Sequence, residues 1–229
     1  MDTRREWLKW AGAGCFTSAR SDSAQPPVVP MMLRRRATIL GQKILMAALA
    51  LGETARTGKY ILASRHGEFS RQIAILNALA SAELPSPAEF AMSVHHALAG
   101  LLSIHTGNTQ GHTAISAGAD TFAMALLEAV ASLQEAPGAH VLLLYGDEHL
   151  PQPFAVYDDP DTAEPLVAAF AFASPRPGET RIITEVASDH ARSGDTGCMA
   201  RNFLRFLLSE AGEARSRSES MTWSWRRAS

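Results

Sequence analysis

Apolar positions along this chain alternate between two kinds of run. From Arg36 to Arg56, Ile39, Leu40, Ile44, Ala47, Ala48 and Leu51 recur at helical spacing and predict an amphipathic helix ending near Gly58. "KYILAS" (59–64) is then a short continuous apolar run, the mark of a buried strand. Phe69 to Ala82 reads as a helix closed by Pro85, and Ser86-Pro87 caps another helix expected from Ala88 to about Ser103. A strand from Thr113 to Ser116 leads through small residues into a helix from Asp120 to Glu135. "AHVLLLYGD" (139–147) is nearly all apolar, as strands covered on both faces are. "PLVAAFAFAS" (165–174) and "TRIITEVAS" (180–188) follow as β segments joined by the turn-forming "PRPGE", and a last helix spans roughly Cys198 to Glu210. Helices alternating with buried strands predict an α/β layered domain.

The chain has 229 residues, 46% of them apolar and 19% charged, with a formal charge of -2, which is ordinary for a globular protein of one large domain or two small ones. The strongest basic run is Arg34-Arg35-Arg36, too narrow to neutralise many phosphates, so nucleic acid is not an expected partner. Cys15 and Cys198 are the only cysteines, too few for a disulfide framework or a paired-cysteine metal site. The first residues, "TRREWLKWAGAGCF", imitate a twin-arginine export signal. Their apolar stretch is only about seven residues, at or below the short end of a signal core. No run reaches the ~18 apolar residues of a membrane span, and the expected location is the cytoplasm. Residues 17–30 are rich in serine and proline and read as a linker.

Several reaction classes lack their residues. "GNTQGHT" (107–113) has the wrong length for a phosphate loop and a histidine where its lysine belongs. His95 and His96 are adjacent, about 100° apart on a helix, and cannot share one metal; no HExxH occurs, and satisfied structural histidines are the expectation. Ser116 has no GxSxG around it.

One constellation survives. "SPAEFAMSVHHALAGLLSIHTGNTQGHTAISAGADTFAMALLEA" (86–129) resembles the part of β-ketoacyl synthases that leads into the catalytic cysteine. Ala99-Gly100, Ser103-Ile104 and Gly107 match the helix end and turn before the strand. Counting forward from Gly100 puts the place of the cysteine at Ala119, and Ala125, Leu126 and Ala129, six, seven and ten places on, give the same register. "LRRRAT" (33–38), "SRHGE" (64–68), "SVHHALAG" (93–100) and "DEHLP" (147–151) narrow the resemblance to the short ketosynthase N-terminal-like, chain-length-factor-like proteins of aryl-polyene and xanthomonadin-type pathways.

The resemblance implies a thiolase-like layered α/β fold corresponding to the N-terminal half of a condensing enzyme. It divides the chain into an N-terminal segment and linker (1–30), a ketoacyl-synthase N-terminal-like domain (31–211) and a basic tail with Trp223 and Trp225 (212–229). Condensing enzymes hold an acyl thioester on a cysteine at a helix N-terminus and use two histidines to decarboxylate the extender. Ala119 has no nucleophilic atom, and after Ser188 only one helix and the tail remain to supply histidines, of which His190 is a lone candidate. The implied role is a subunit without condensing activity of its own, paired with an active ketosynthase as a heterodimer. Thr113, Ala114, Ile115 and Ser116 would pair with the partner's strand. Glu89, Phe90 and Met92 would lie near its acyl tunnel, unless Phe90 and Met92 are simply core. Bulk there would act as a steric ruler of chain length. Arg34, Arg35 and Arg36 could meet an acyl carrier protein, whose phosphopantetheine carries the substrates; no cofactor of the chain's own is expected. The competing reading is a malonyl-thioester decarboxylase or acyltransferase that uses some other residue of the cleft.

Overall fold

The computed structural model describes residues 27–158, 165–175, 181–187, 197–218 and 221–228. The export-like stretch with Cys15, the "PRPGE" turn beyond Pro175 and His190 lie outside the described residues, as does all but the end of the linker.

A first sheet of four strands carries the chain's most apolar segments. Its order is β2 (His112–Ile115), β1 (Lys59–Ala63), β3 (His140–Asp147) and β4 (Leu166–Ala173), with β1 parallel to both neighbours and β4 antiparallel to β3. Alternate residues feed two cores. Tyr60, Leu62, Leu142, Leu144, Val167 and Ala169 face one, with Leu40, Ile44 and Leu45 of helix α2 (Ile39–Leu49) and Leu98 and Leu102 of helix α6 (Ala97–Thr106). Ile61, Ala63, Leu143, Tyr145 and Phe170 face the other, with helices α7 (Thr121–Glu135) and α8 (Met199–Leu208). Because both faces are covered, the strands need no polar alternation.

Beneath α8 lies a second sheet, ordered β5 (Arg181–Ala187), β7 (Thr222–Ala228) and β6 (Glu213–Arg217), all antiparallel. The described residues therefore stack as helices, sheet, helices, sheet. The segment read as a basic tail supplies two of these strands. Trp223 and Trp225 are fully buried, and Trp225 packs edge-on against Phe203 with ring centroids 5.1 Å apart. Arg227 closes the arrangement from outside, donating from Nη2 to the carbonyls of Phe206 and Leu207 at the end of α8 while its guanidinium lies over the Phe206 ring.

Two further expectations change, and one connection joins strands of different sheets. The helix predicted from Arg36 to Arg56 is two helices, α2 and the single turn α3 (Thr54–Thr57), separated by Gly52 at φ +59°. Residues 88–103 likewise split into α5 (Pro87–Met92) and α6. Between them Ser93 Oγ donates to Phe90 O, and the His95 ring turns to the Ser64 carbonyl. The β segments expected either side of "PRPGE" do not pair with each other: β4 closes the first sheet and β5 opens the second. The short helix α1 (Met31–Arg34) and helix α4 (Phe69–Ala80) complete the fold.

Candidate functional site

In open parallel sheets, functional groups collect beyond the carboxyl ends of the strands. Here the ends of β1, β2 and β3 bring together the loop 64–68, the turn 116–120 and Asp147. From β2 the chain runs through Ser116 and Ala117 into a 3-10 turn, Gly118–Asp120, and then into α7. Gly118 sits at φ +57°, a conformation suited to glycine, and bends the chain sharply. The Thr121 hydroxyl fastens the bend by donating to Gly118 O (2.7 Å) and accepting from Ala117 N (2.9 Å). The result is a strand, elbow and helix with exposed Ala119 at its tip.

A sulfur at that tip would sit at the start of a 15-residue helix, whose partial positive charge favours a thiolate. Ala119 supplies a methyl group instead. Beside it open Arg65, Tyr145, Gly197 and Cys198. Burial raises the Tyr145 phenol far above its ordinary pKa, with Asp147 and then Cys198 adding to the effect, so this hydroxyl stays protonated. It lies 3.7 Å from Cys198 Sγ. Ser116 Oγ donates to Arg65 O (2.9 Å).

The sequence signatures meet as scaffolding around the elbow. Buried Asp147 accepts from Ser64 Oγ (3.0 Å) and Arg65 N (2.8 Å), and Ser64 Oγ accepts from Gly67 N (2.8 Å). A ring nitrogen of His95 lies 3.1 Å from Ser64 O, so that histidine is satisfied, whereas His96 is exposed and stacks on His112 of β2 at 5.9 Å. Burial lowers the pKa of His66, opposed in part by the nearby Asp147 carboxylate. Burial likewise raises that of Glu148, and the Glu68 carboxylate adds to it. Among the described residues, no group of three or more His, Cys, Asp and Glu side chains could hold a metal ion.

One contact was not legible in the sequence. The Trp223 indole donates to Asp120 Oδ1 at 2.8 Å, tying the last strand to the residue after Ala119. The paired tryptophans near the chain's end were its only signal.

Among the described residues, strand β2 forms one edge of its sheet. Tyr60 N donates to Gly111 O and Ser64 N to Ile115 O, so by alternation Thr113 also points its backbone groups at β1. His112 and Ala114 then present theirs to the open side. Thr113, Ala114 and Ile115 are half-buried and Ser116 is exposed. Glu89 and Phe90 are exposed on α5, Phe90 at 63%, whereas Met92 packs against the first core; the alternative that both apolar residues are core holds for Met92 alone. Arg34, Arg35 and Arg36 are exposed and in no ion pair among the described residues, with exposed Met31, Met32 and Ile39 nearby in the chain.

A layered α/β unit with a strand-elbow-helix at the ends of its parallel strands, and no nucleophile on the elbow, is the thiolase-like N-terminal half of a condensing enzyme, without that enzyme's reactive atom. The chain belongs to the family described as beta-ketoacyl synthase, N-terminal domain, which matches residues 7–226. It is similar, at 25% identity and a TM-score of 0.77, to a chain in the complex of the ketosynthase ApeO with its chain length factor ApeC from Xenorhabdus doucetiae, over 97% of this chain and 92% of that one. It is also similar in fold, at 11% identity and a TM-score of 0.61 over 91% and 89% of the two chains, to a chain in the AntDE:AntF complex, described as a type II PKS acyl-carrier protein with its ketosynthase bound to the hexaketide. No curated protein matches the sequence. The family match runs through β6 and most of β7, so all but the last three residues of the segment expected as a tail lie within it. Among the described residues no helix is long and apolar enough to cross a membrane.

Proposed function

We propose that this chain is a non-condensing, chain-length-factor-like subunit that pairs with an active β-ketoacyl synthase in type II fatty-acid or polyketide biosynthesis of the aryl-polyene kind, and shapes its acyl tunnel. The observation that carries the reading is an elbow kept in full, with its positive-φ glycine and its threonine latch, around a residue that cannot attack a thioester. Maintaining such a turn without its nucleophile makes sense where its shape matters to a neighbour. The open edge of β2 offers that neighbour backbone groups at His112 and Ala114, so Thr113 to Ser116 form the pairing segment. Exposed Glu89 and Phe90, with Met92 behind them, reach the partner's tunnel from α5. Substrates arrive on the phosphopantetheine of an acidic carrier protein, which Arg34, Arg35 and Arg36 meet; the chain needs no cofactor of its own and works in the cytoplasm.

Co-expression with the ketosynthase encoded beside it, followed by assays of malonyl-dependent elongation by each protein alone and by the pair, tests this. Elongation by the purified pair and none by this chain alone is the expected result. Elongation by this chain alone, or failure to bind the ketosynthase, overturns it. A stand-alone decarboxylase or acyltransferase working from a residue other than cysteine would turn over malonyl thioester without the ketosynthase, and would keep that activity in Cys198→Ser.

A further inference from the structure

We propose that Arg71 is the positioning residue that fixes the tunnel-facing helix α5, and thereby the chain length that the pair produces. This inference rests on the reading of α5 given under Proposed function. Helix α5 has six residues, none of them buried, and too little contact with the core to hold its own orientation. Met92 packs inward and Gln72 Nε2 donates to Ser93 O at 3.3 Å. The remaining anchor is ionic. Arg71, with only 7% of its side chain exposed, donates from Nε to Glu68 Oε2 (3.1 Å), from Nη1 to Glu89 Oε2 on α5, and from Nη2 to Arg36 O (2.9 Å). Glu68 is itself buried, and its Oε1 accepts from Thr38 N (3.2 Å) and Thr38 Oγ1 (2.5 Å). A side chain at Gly41 would collide with that carboxylate, so the helix start is shaped around it.

One guanidinium therefore joins three segments: the turn before α2, the start of α4, and α5. A planar fork with donors in three directions can do this, whereas an ammonium on a flexible stem cannot hold all three at once. Glu89 is the partly exposed partner, at 54%, and Phe90 follows it directly. Loosening the clamp lets Phe90 move and blurs whatever limit it sets. Only the wall's position is at stake, since Arg71 itself is buried away from any substrate.

The test uses the co-purified pair, fed malonyl-loaded carrier protein, and reads the distribution of product lengths by mass, normalised to total malonyl consumed. The variants are Arg71→Lys, the double variant Glu68→Met with Arg71→Met, and Phe90→Ala. The double variant removes the buried pair together and leaves no lone buried charge to unfold the chain. Both Arg71 variants are expected to raise the share of off-length products by about tenfold, the low end of the discrimination that one methylene of pocket space carries. A parent-like distribution in both, with Phe90→Ala shifted, overturns the role of Arg71 and leaves the tunnel reading standing. So does a fall in total turnover and thermal midpoint at unchanged product lengths, the mark of a merely structural residue. An unshifted Phe90→Ala overturns both.

Discussion

At Ala119 the elbow carries only a methyl group, which cannot attack a thioester. Ala119→Cys places a thiol at the start of α7, but a thiol alone does not rebuild a condensing site whose groups act as a unit. The variant is expected to take up one more equivalent of a thiol alkylator than the parent, which already carries Cys15 and Cys198, while its elongation activity without a partner stays at least about a thousandfold below that of the pair. His66 carries a second residue-scale prediction. Burial lowers its folded pKa below the ordinary 6.5, so the unfolded chain takes up the proton first as pH falls. The resulting stability is complete above 6.5 and is lost below it, down to the folded pKa. In urea melts between about pH 7 and pH 5, His66→Gln should lose less stability than the parent. An equal loss in both proteins would remove His66 as the source.

Among the elements, β2 makes the sharpest prediction. Alternation gives Ala114 an N–H that points away from β1, and proline is tolerated where a strand's N–H faces outward at an edge. Ala114→Pro should therefore keep the thermal midpoint within a few degrees of the parent and abolish co-purification with the ketosynthase. Thr113→Pro, which strikes the ladder to β1, should instead lower the midpoint clearly. If Ala114→Pro still co-purifies, the pairing edge lies elsewhere. The same scale shows why boundaries were harder to read than elements. Ala88 to Ser103 has unbroken helical periodicity, yet the helix stops at Met92 because Ser93 caps its own turn and His95 is drawn to the Ser64 carbonyl. A long-range partner outweighed a local preference.

For the whole molecule, the second sheet is what holds the elbow from behind. An aromatic chain runs from Phe122 on α7 through Phe203 on α8 to Trp225 on β7, with centroid separations of 5.3 Å and 5.1 Å. Trp225→Ala is expected to cost about 3–5 kcal/mol, measurable as a large drop in thermal midpoint. Trp223→Phe keeps most of the apolar contact and removes the donor to Asp120, so it should cost about 1–3 kcal/mol. A change at Trp223 that leaves the midpoint untouched would show that the elbow stands without β7.

The sequence by itself determined the layered α/β class, the apolar strands of the first sheet and the register that puts an alanine at the elbow. The first two are local properties, carried by periodicity within one segment; the register follows from the resemblance of residues 86–129 to β-ketoacyl synthases, a single stretch of chain. It also held the motifs "SRHGE" and "DEHLP", but not their purpose. Ser64, Gly67 and Asp147 brace the loop beside the elbow, and Glu68 seats Arg71, through bonds between residues up to 83 positions apart. Only the tertiary structure turned the apparent tail into core strands, since two tryptophans spaced by one residue show a buried face only once α8 lies over them. It alone made β2 an edge and Arg71 a clamp, because what a strand leaves unpaired and what an arginine reaches depend on segments that meet in space.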